Sequence, residues 1–235
     1  MKNFHHRGSC GDIVYSIPTI IALGGGKLYL RKENQFKFLY NLLARQNPHI
    51  SYCFLEDGTE KIDINLDEFR PVSRNSPSLH LCQCHADPHH AQINYENAWL
   101  VDVYEDISPD IVINWTPRYH DKCEIDYTIL KSYQDKCCFV GMQKDHENFC
   151  RKYNLKIEYV EVSDALYMAQ VIKGSSLFIG NQSLGFALAE SMKVPRVLER
   201  YFALDNCRPT GKNGYETLTA DIIDRAIYCS EKECM

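Results

Sequence analysis

The sequence has no long hydrophobic run. A membrane-spanning helix needs about 20 consecutive apolar residues, and no stretch of the chain approaches that length. Residues 1–12 also lack the apolar core of a secretory signal peptide. Basic residues do not dominate, because 26 Lys and Arg stand against 31 Asp and Glu, which gives a formal net charge of -5. We therefore expect a cytoplasmic protein without an integral membrane segment, which does not bind nucleic acid.

An even set of cysteines is also missing, because the chain has 11. An odd count without a signal peptide argues against a disulfide framework and for reduced thiols. Most of them are expected to act as small buried apolar side chains. With 235 residues, 45% of them hydrophobic, the chain can form one large domain or two small ones around a real core.

The N-terminal segment has the pattern of a strand, a glycine loop, a helix and a second strand. Residues 2–6 predict the first strand, and Gly8 and Gly11 then allow a sharp turn and the close approach of a ligand. From Ile13 apolar residues recur at helical spacing, with Pro18 expected in the first turns. This order of elements is typical of the opening of a parallel α/β sheet.

Asp12 lies between this glycine loop and the helix, and two roles are open to it. A carboxylate at a helix start can cap the helix, and it would then turn inward to the N–H groups of Val14 or Tyr15. It can also face a ligand and take a proton as a general base. Capping alone would not need a glycine loop in front of it.

A second strand–loop–helix unit begins at Leu177. Residues 177–179 are an apolar run, residues 180–183 form a polar loop, and Leu184 opens a pattern of apolar residues at helical spacing. The unpaired backbone N–H groups at such a helix start attract phosphates. The alternative is an ordinary strand–helix packing unit.

Strand and helix patterns alternate through the second half of the chain and predict a doubly wound parallel sheet. Residues 110–115 predict its first strand, with Arg118 just beyond the carboxyl end, and residues 126–136 predict a helix. Ligands of such sheets gather at the carboxyl ends of the strands. Arg118 there either forks onto a diphosphate or pairs with a surface carboxylate. Glu199 ends a later strand of the same sheet.

The segment from His80 to His90 collects several potential metal ligands. Its spacing is not that of a zinc site, because Cys82 and Cys84 are one residue apart and no second pair follows. If the segment is a strand, His80, Cys82 and Cys84 lie on one face, where they could not surround an ion by themselves. We expect structural histidines or a polar patch on the wall of a ligand cleft, and no tightly held zinc.

Two segments resemble one known family. Residues 8–25 read GSCGDIVYSIPTIIALGG, and residues 177–195 read LFIGNQSLGFALAESMKVP. They are similar to the N-terminal signature and the donor-side loop and helix of heptosyltransferase-like glycosyltransferases of the GT-B type. The resemblance implies a GT-B-like α/β fold, in which two small Rossmann-like domains with parallel sheets face a cleft. It places the acceptor-side domain at residues 1–107 and the nucleotide-sugar domain at residues 108–235, with the last helix packing back on the first domain.

The same resemblance implies an activity and a set of site residues. Family members transfer a sugar from a nucleotide-diphosphate-sugar to a saccharide or other hydroxyl acceptor, with inversion and without a metal or another cofactor. Asp12 matches their general base. The glycine loop corresponds to Gly8, Ser9 and Gly11, and the donor loop to Asn181, Gln182, Ser183 and Leu184. Arg118 and Glu199 are added to the expected donor and phosphate site from their place at the carboxyl ends of strands, because the family's basic donor-binding residues have no match here.

The chain also departs from the family pattern. Many members carry Asp-(Thr/Ser)-Gly and then a histidine, where this chain has Asn181-Gln182-Ser183 and Phe186. The alternative is therefore a non-catalytic nucleotide or sugar-nucleotide binding protein on the same fold. A dehydrogenase is disfavoured, because no GxGxxG run precedes an acidic residue about twenty positions on.

Overall fold

The structure is a computed structural model that describes residues 1–31, 33–106, 110–119 and 125–233. Its strands are β1 (Lys2–His6), β2 (Gly26–Leu30), β3 (Ile50–Leu55), β4 (Ile64–Asn65), β5 (Ile111–Asn114), β6 (Cys137–Val140), β7 (Glu158–Val160), β8 (Leu177–Asn181), β9 (Arg196–Glu199) and β10 (Gly214–Tyr215). Its α-helices are α1 (Cys10–Ala22), α2 (Glu33–Ala44), α3 (Phe69–Asn75), α4 (Leu81–Ala86), α5 (Gln143–Tyr153), α6 (Ala165–Lys173), α7 (Leu184–Met192) and α8 (Ala220–Glu233). Within these ranges no helix has the length and apolarity needed to cross a bilayer.

The strands form two sheets, as the α/β pattern predicts. The first sheet has the order β3-β2-β1-β4 and the second the order β10-β9-β8-β5-β6-β7. Every strand pair in the described ranges is parallel. The predicted domain boundary between residues 107 and 108 lies outside the described residues.

Helix α1 begins earlier than its apolar pattern predicts, and this changes the environment of Pro18. Because the helix starts at Cys10, Pro18 lies in its interior and not in its first turns. A proline has no N–H to give to the carbonyl of Val14, four residues earlier. The indole Nε1 of Trp99 donates to that carbonyl at 3.2 Å instead. A side chain from a distant segment thus replaces the missing hydrogen bond.

The two sheets share one hydrophobic core, which lies between their facing helices. Its members from the first sheet's side include Phe4, Ile13, Ile17, Leu39, Leu42 and Leu81, and those from the second side include Val112, Met168, Ala169, Phe178, Phe186, Ala187 and Leu198. Burial of this apolar surface holds the two halves together. The beginnings of α1 and α7 are therefore brought to the same region of the molecule.

A second core lies on the other face of the second sheet and corrects our expectation for the last helix. Ile223 and Ile227 of α8 pack in it, together with Ile111, Ile179 and Val197. Strand residues alternate between faces, so these three point away from the shared core that receives Val112, Phe178 and Leu198. Helix α8 covers this outer apolar face of the second sheet and does not pack back on the first domain.

The segment predicted as a helix over residues 126–136 forms two short 3₁₀ helices instead, Tyr127–Ser132 and Gln134–Lys136. The side chain of Asp126 accepts the N–H of Thr128 at 3.0 Å and starts the first of them. The buried Tyr127 directs its hydroxyl to Glu199 at 2.8 Å. This tertiary contact and the local cap favour a tight turn over a continuous α-helix.

Candidate functional site

Asp12 takes part in a capping box at the start of α1. Ser9 is the N-cap residue, and its N–H donates to Oδ2 of Asp12 at 2.8 Å. The Ser9 hydroxyl donates to the same oxygen at 3.0 Å. The carboxylate thus reaches back to Ser9 and not forward to Val14 or Tyr15, because it belongs to the third helical residue. Oδ1 accepts no hydrogen bond from any described residue.

The surroundings of Asp12 change its acidity. The residue is half-buried, and this burial raises the pKa of the Asp12 carboxyl above its ordinary value. The two hydrogen bonds from Ser9 and the charge of Arg70 oppose the shift, and the nearby Asp67 adds to it. Desolvation dominates because a charged carboxylate loses hydration in a half-buried site. A raised pKa makes the carboxylate a stronger proton acceptor.

The two glycines of the loop differ in what they require. A side chain at Gly8 would have its Cβ 2.7 Å from Cβ and 2.8 Å from Oδ2 of Asp12, so only glycine fits there. Gly11 lies inside α1, and a Cβ on it would meet no atom closer than 3.8 Å. Gly8 is therefore closely approached by the protein's own side chains, and the approach of a ligand stays a prediction. Gly11 does not need to be glycine for reasons of space.

The beginnings of α1 and α7 touch at Gly11. A Cβ at this position would be 3.8 Å from the Ser183 carbonyl oxygen and 3.8 Å from the Cβ of Ala187. The two motifs recognised in the sequence are therefore neighbours in space. The contact leaves no room for a ligand at Gly11 itself, so substrates would have to lie along its rim, beside Ser9 and Asp12.

The loop before α7 is held by its own side chains. Asn181 is fully buried; its Nδ2 donates to the carbonyl of Thr116 at 2.9 Å and to that of Arg118 at 2.6 Å, and its Oδ1 accepts the N–H of Thr116 at 3.1 Å. Gln182 donates to the carbonyl of Leu204 at 2.7 Å. Both side chains hold neighbouring loops in place. A ligand would therefore contact the backbone of this loop and not the side-chain amides of Asn181 and Gln182.

Asn114, at the end of β5, fixes the start of α7 and was missed by sequence reasoning. Its Oδ1 accepts the hydroxyl of Ser183 at 2.6 Å, and its Nδ2 donates to the Val140 carbonyl at 2.7 Å. A Cβ on Gly185 would be 2.5 Å from the same Oδ1. The Ser183 hydroxyl is therefore not directed at a phosphate. The signal was a polar residue ending an otherwise apolar strand.

The first backbone N–H groups of α7 remain as candidate donors to an anion. Ser183 is the N-cap residue, but its side chain makes no capping hydrogen bond. The N–H groups of Leu184, Gly185 and Phe186, the first three helical residues, consequently have no side-chain cap. They carry the positive end of the helix dipole, which stabilises negative charge.

Arg118 and Glu199 both lie at the carboxyl edge of the second sheet, but in different surroundings. Arg118 is exposed, with its guanidinium 5.5 Å from the ring centre of Tyr119. Glu199 is buried, and its Oε2 accepts the Tyr127 hydroxyl at 2.8 Å. Arg118 can reach a bound anion without breaking a described ion pair, whereas Glu199 is already engaged inside the fold.

The segment from His80 to His90 begins with a helix and not with a strand. His80 is the N-cap residue of α4, accepting the N–H of Cys82 at 3.3 Å, and its ring stacks on Tyr95 with centroids 4.5 Å apart. Burial lowers the pKa of His80 to about 4 and that of His85 to about 3. Among the described residues no three or more His, Cys, Asp or Glu side chains are arranged to hold a metal ion. His80 and His85 are neutral side chains buried in the fold.

Two parallel α/β sheets with their helices packed face to face, each with a strand–loop–helix unit at the contact, define a GT-B-like fold. No protein-family model and no curated protein sequence matches this chain. Several solved structures are similar to this chain. A glycosyl transferase family 9 protein from Veillonella parvula has a TM-score of 0.61 at 14% identity, over 98% of this chain and 88% of that one.

Two heptosyltransferases are similar as well. The Escherichia coli enzyme WaaC, solved with ADP-2-deoxy-2-fluoro heptose, has a TM-score of 0.58 at 9% identity, over 100% of both chains. The dodecameric iron-containing heptosyltransferase TibC, in complex with ADP-D-beta-D-heptose, has a TM-score of 0.57 at 14% identity, over 93% of this chain and 63% of that one. The chain therefore has a heptosyltransferase-like GT-B fold, as the two sequence motifs predict.

Proposed function

We propose that this protein is a glycosyltransferase that moves a sugar from a nucleotide-diphosphate-sugar to an acceptor hydroxyl, with inversion and without a metal ion. The observation that carries the proposal is the state of Asp12. Its carboxylate is half-buried, held through Oδ2 by Ser9, and lies beside the contact between α1 and α7. Oδ1 is the oxygen left to take a proton among the described contacts.

The proposed transfer step uses these groups as follows. The acceptor oxygen attacks the anomeric carbon on the face opposite the diphosphate, and its C–O bond forms as the bond to the diphosphate oxygen breaks. The acceptor proton passes to Oδ1 of Asp12, whose raised pKa favours this. The bonding electrons leave with the nucleoside diphosphate. Its growing charge is stabilised by the backbone N–H groups that start α7 and by Arg118.

The donor's nucleotide is suggested by the neighbours alone. WaaC was solved with an ADP-heptose analogue and TibC with ADP-heptose. ADP-heptose is therefore the first probe, and other nucleoside diphosphates and their sugars follow in the same screen. Gln182 and Glu199 enter this proposal as residues that shape the donor side, since their side chains are engaged within the fold.

A non-catalytic nucleotide-sugar binder is the second candidate. It is favoured by the loop before α7, where Asn181 stands in place of the family's aspartate and uses both its polar atoms on neighbouring loops. The Ser183 hydroxyl is likewise engaged with Asn114. Such a protein would bind the donor through the backbone and Arg118 but would not use Asp12.

The test separates binding from turnover. Titration calorimetry with ADP, ADP-heptose and related nucleotides measures affinity, and release of the nucleoside diphosphate measures transfer or hydrolysis. Arg118→Gln should weaken nucleotide affinity about tenfold, since it removes one charge-assisted contact. Arg225→Gln, an exposed arginine on α8, is the matched control and should bind as the wild type does. Binding without turnover of any donor would favour the second candidate, and binding of no nucleotide would overturn both.

A further inference from the structure

His6 ends β1 directly below the glycine loop. Its side chain is 1% exposed, and its Nδ1 accepts the backbone N–H of Gly8 at 2.8 Å. Nε2 is buried inside the fold. An imidazole that accepts at Nδ1 must have no proton there, so the hydrogen bond requires the neutral ring with its proton on Nε2.

The Gly8–Ser9 turn links this ring to Asp12. The N–H of Gly8 donates to His6, and the next N–H along the chain, that of Ser9, donates to Oδ2 of Asp12 at 2.8 Å. Gly8 itself lies between the imidazole and the carboxylate, since a Cβ there would collide with atoms of both side chains. A shift of the Gly8 amide would therefore rotate the neighbouring Ser9 amide away from the carboxylate.

Burial keeps His6 neutral. The rings of His85 and Phe69 pack against it, with centroids 5.0 and 5.7 Å away. Burial lowers the pKa of His6 well below its ordinary value, and the basic side chains of His85, Arg70 and His5 add to the shift. A hydrogen bond with the Asp12 backbone opposes the shift, and the Asp67 carboxylate, 3.6 Å from Nδ1, does not outweigh burial. At neutral pH the ring consequently offers Nδ1 as an acceptor.

We propose that His6 is a positioning residue for Asp12, which through its Nδ1 hydrogen bond to Gly8 sets the glycine turn and thereby directs the carboxylate. The role in turnover rests on the proposed transferase function, whereas the role in ordering the turn does not. His6 touches neither substrate, so its loss should lower kcat and leave the KM for the donor nearly unchanged.

Three substitutions test this. Asparagine places its side-chain oxygen where Nδ1 lies, glutamine places its oxygen near Nε2, and phenylalanine keeps the ring without an acceptor. We expect His6→Asn to keep kcat within about threefold of the wild type, and His6→Gln and His6→Phe to lower it about 10- to 100-fold, the usual effect of a misplaced reacting group. The matched control is His146→Asn, the same change in a half-buried histidine of α5, whose Nε2 hydrogen-bonds with the Ile157 carbonyl far from the glycine turn. It should leave kcat within about threefold.

A second readout does not depend on activity. Hydrogen exchange of the Ser9 amide, followed by NMR without substrate, should speed up about tenfold in His6→Gln and stay near the wild-type rate in His6→Asn, as expected for one lost hydrogen bond. If the phenylalanine variant fails to fold, the comparison of asparagine with glutamine decides alone. Equal kcat in asparagine and glutamine variants, or unchanged Ser9 exchange in the glutamine variant, would overturn the positioning role. Absence of transfer by the wild type would count against the proposed function only, and the exchange result would still stand.

Discussion

Replacing Asp12 by asparagine separates chemistry from helix capping. The amide oxygen of asparagine can still accept the N–H of Ser9, which Oδ2 of Asp12 accepts at 2.8 Å. At this third helical position asparagine keeps the capping-box acceptor, but the amide cannot take a proton at neutral pH. We therefore expect Asp12→Asn to keep nucleotide affinity and to lose turnover by about a hundredfold or more, the usual contribution of a general base.

The stability of this variant follows from the pKa of Asp12. Burial raises that pKa in the folded protein above its value in the unfolded chain. Between the unfolded and the folded pKa of Asp12, the folded state binds more protons than the unfolded state. The contribution of Asp12 to stability is therefore highest at low pH and falls as pH rises through the folded pKa. Asparagine removes this cost but also the attraction of the charge to the helix dipole, about 0.3–1 kcal/mol. At pH 7 we expect the free energy of unfolding to change by less than about 1 kcal/mol.

Asp12→Ala is the matched comparison, because it removes the acceptor as well as the charge. Without the two hydrogen bonds from Ser9 we expect α1 to lose about 0.5–2 kcal/mol. Urea unfolding, calorimetry with the nucleotide and turnover should be measured on one preparation of each variant. Full turnover in Asp12→Asn would remove the carboxylate from the mechanism. An asparagine variant as unstable as the alanine variant would show that the negative charge itself holds the turn.

Other predictions concern stability and are checked by chemical unfolding. Gly8→Ala should destabilise the fold by about 1–3 kcal/mol through overpacking, because the new Cβ would lie 2.7 Å from the Cβ of Asp12. Gly11→Ala should be neutral or stabilising, because alanine favours a helix and the nearest atoms to its Cβ would be 3.8 Å away. Arg196→Met should cost about 1–3 kcal/mol, since it removes one of the two ion-pair partners of the buried Glu190 and leaves only Lys193. A loss below about 1 kcal/mol would contradict this. Burial lowers the pKa of His80 to about 4, so its contribution to stability should be full above about pH 6.5 and fall by about 1 kcal/mol per pH unit from there down to about pH 4. His80→Asn should remove that part of the pH dependence and leave the part due to His85, whose pKa is lowered to about 3.

Much of the fold could be predicted because the strands are short apolar runs bounded by glycine or polar residues. β1, β5 and β8 lie where the sequence predicts strands. The helices were harder where a distant partner decides. Pro18 could be placed inside α1 only with knowledge of Trp99, which stands 85 residues from the carbonyl it satisfies. The 3₁₀ form of residues 127–132 likewise depends on Glu199, 72 residues from Tyr127.

The proximity of the two helix starts could be predicted from the sequence, whereas the partners of their side chains could not. The sequence places Asp12 and the start of α7 at helix beginnings, and the structure brings the two together at Gly11. Which polar side chains remain free could not be predicted, because Asn181 and Ser183 find their partners on other strands and loops. Local pattern carries no information on such tertiary hydrogen bonds.

The two halves of the molecule build their helix starts in the same way. In the first half His6, at the end of β1, binds the loop amide of Gly8 and fills the space beside it. In the second half Asn114, at the end of β5, binds the Ser183 hydroxyl and fills the space at Gly185. In each case a polar residue that ends a strand fixes the loop beyond it, and the glycine is needed because that side chain occupies the place of a Cβ. The loops are thereby held before any ligand arrives, and preorganised groups of this kind act on a developing charge without further reorganisation.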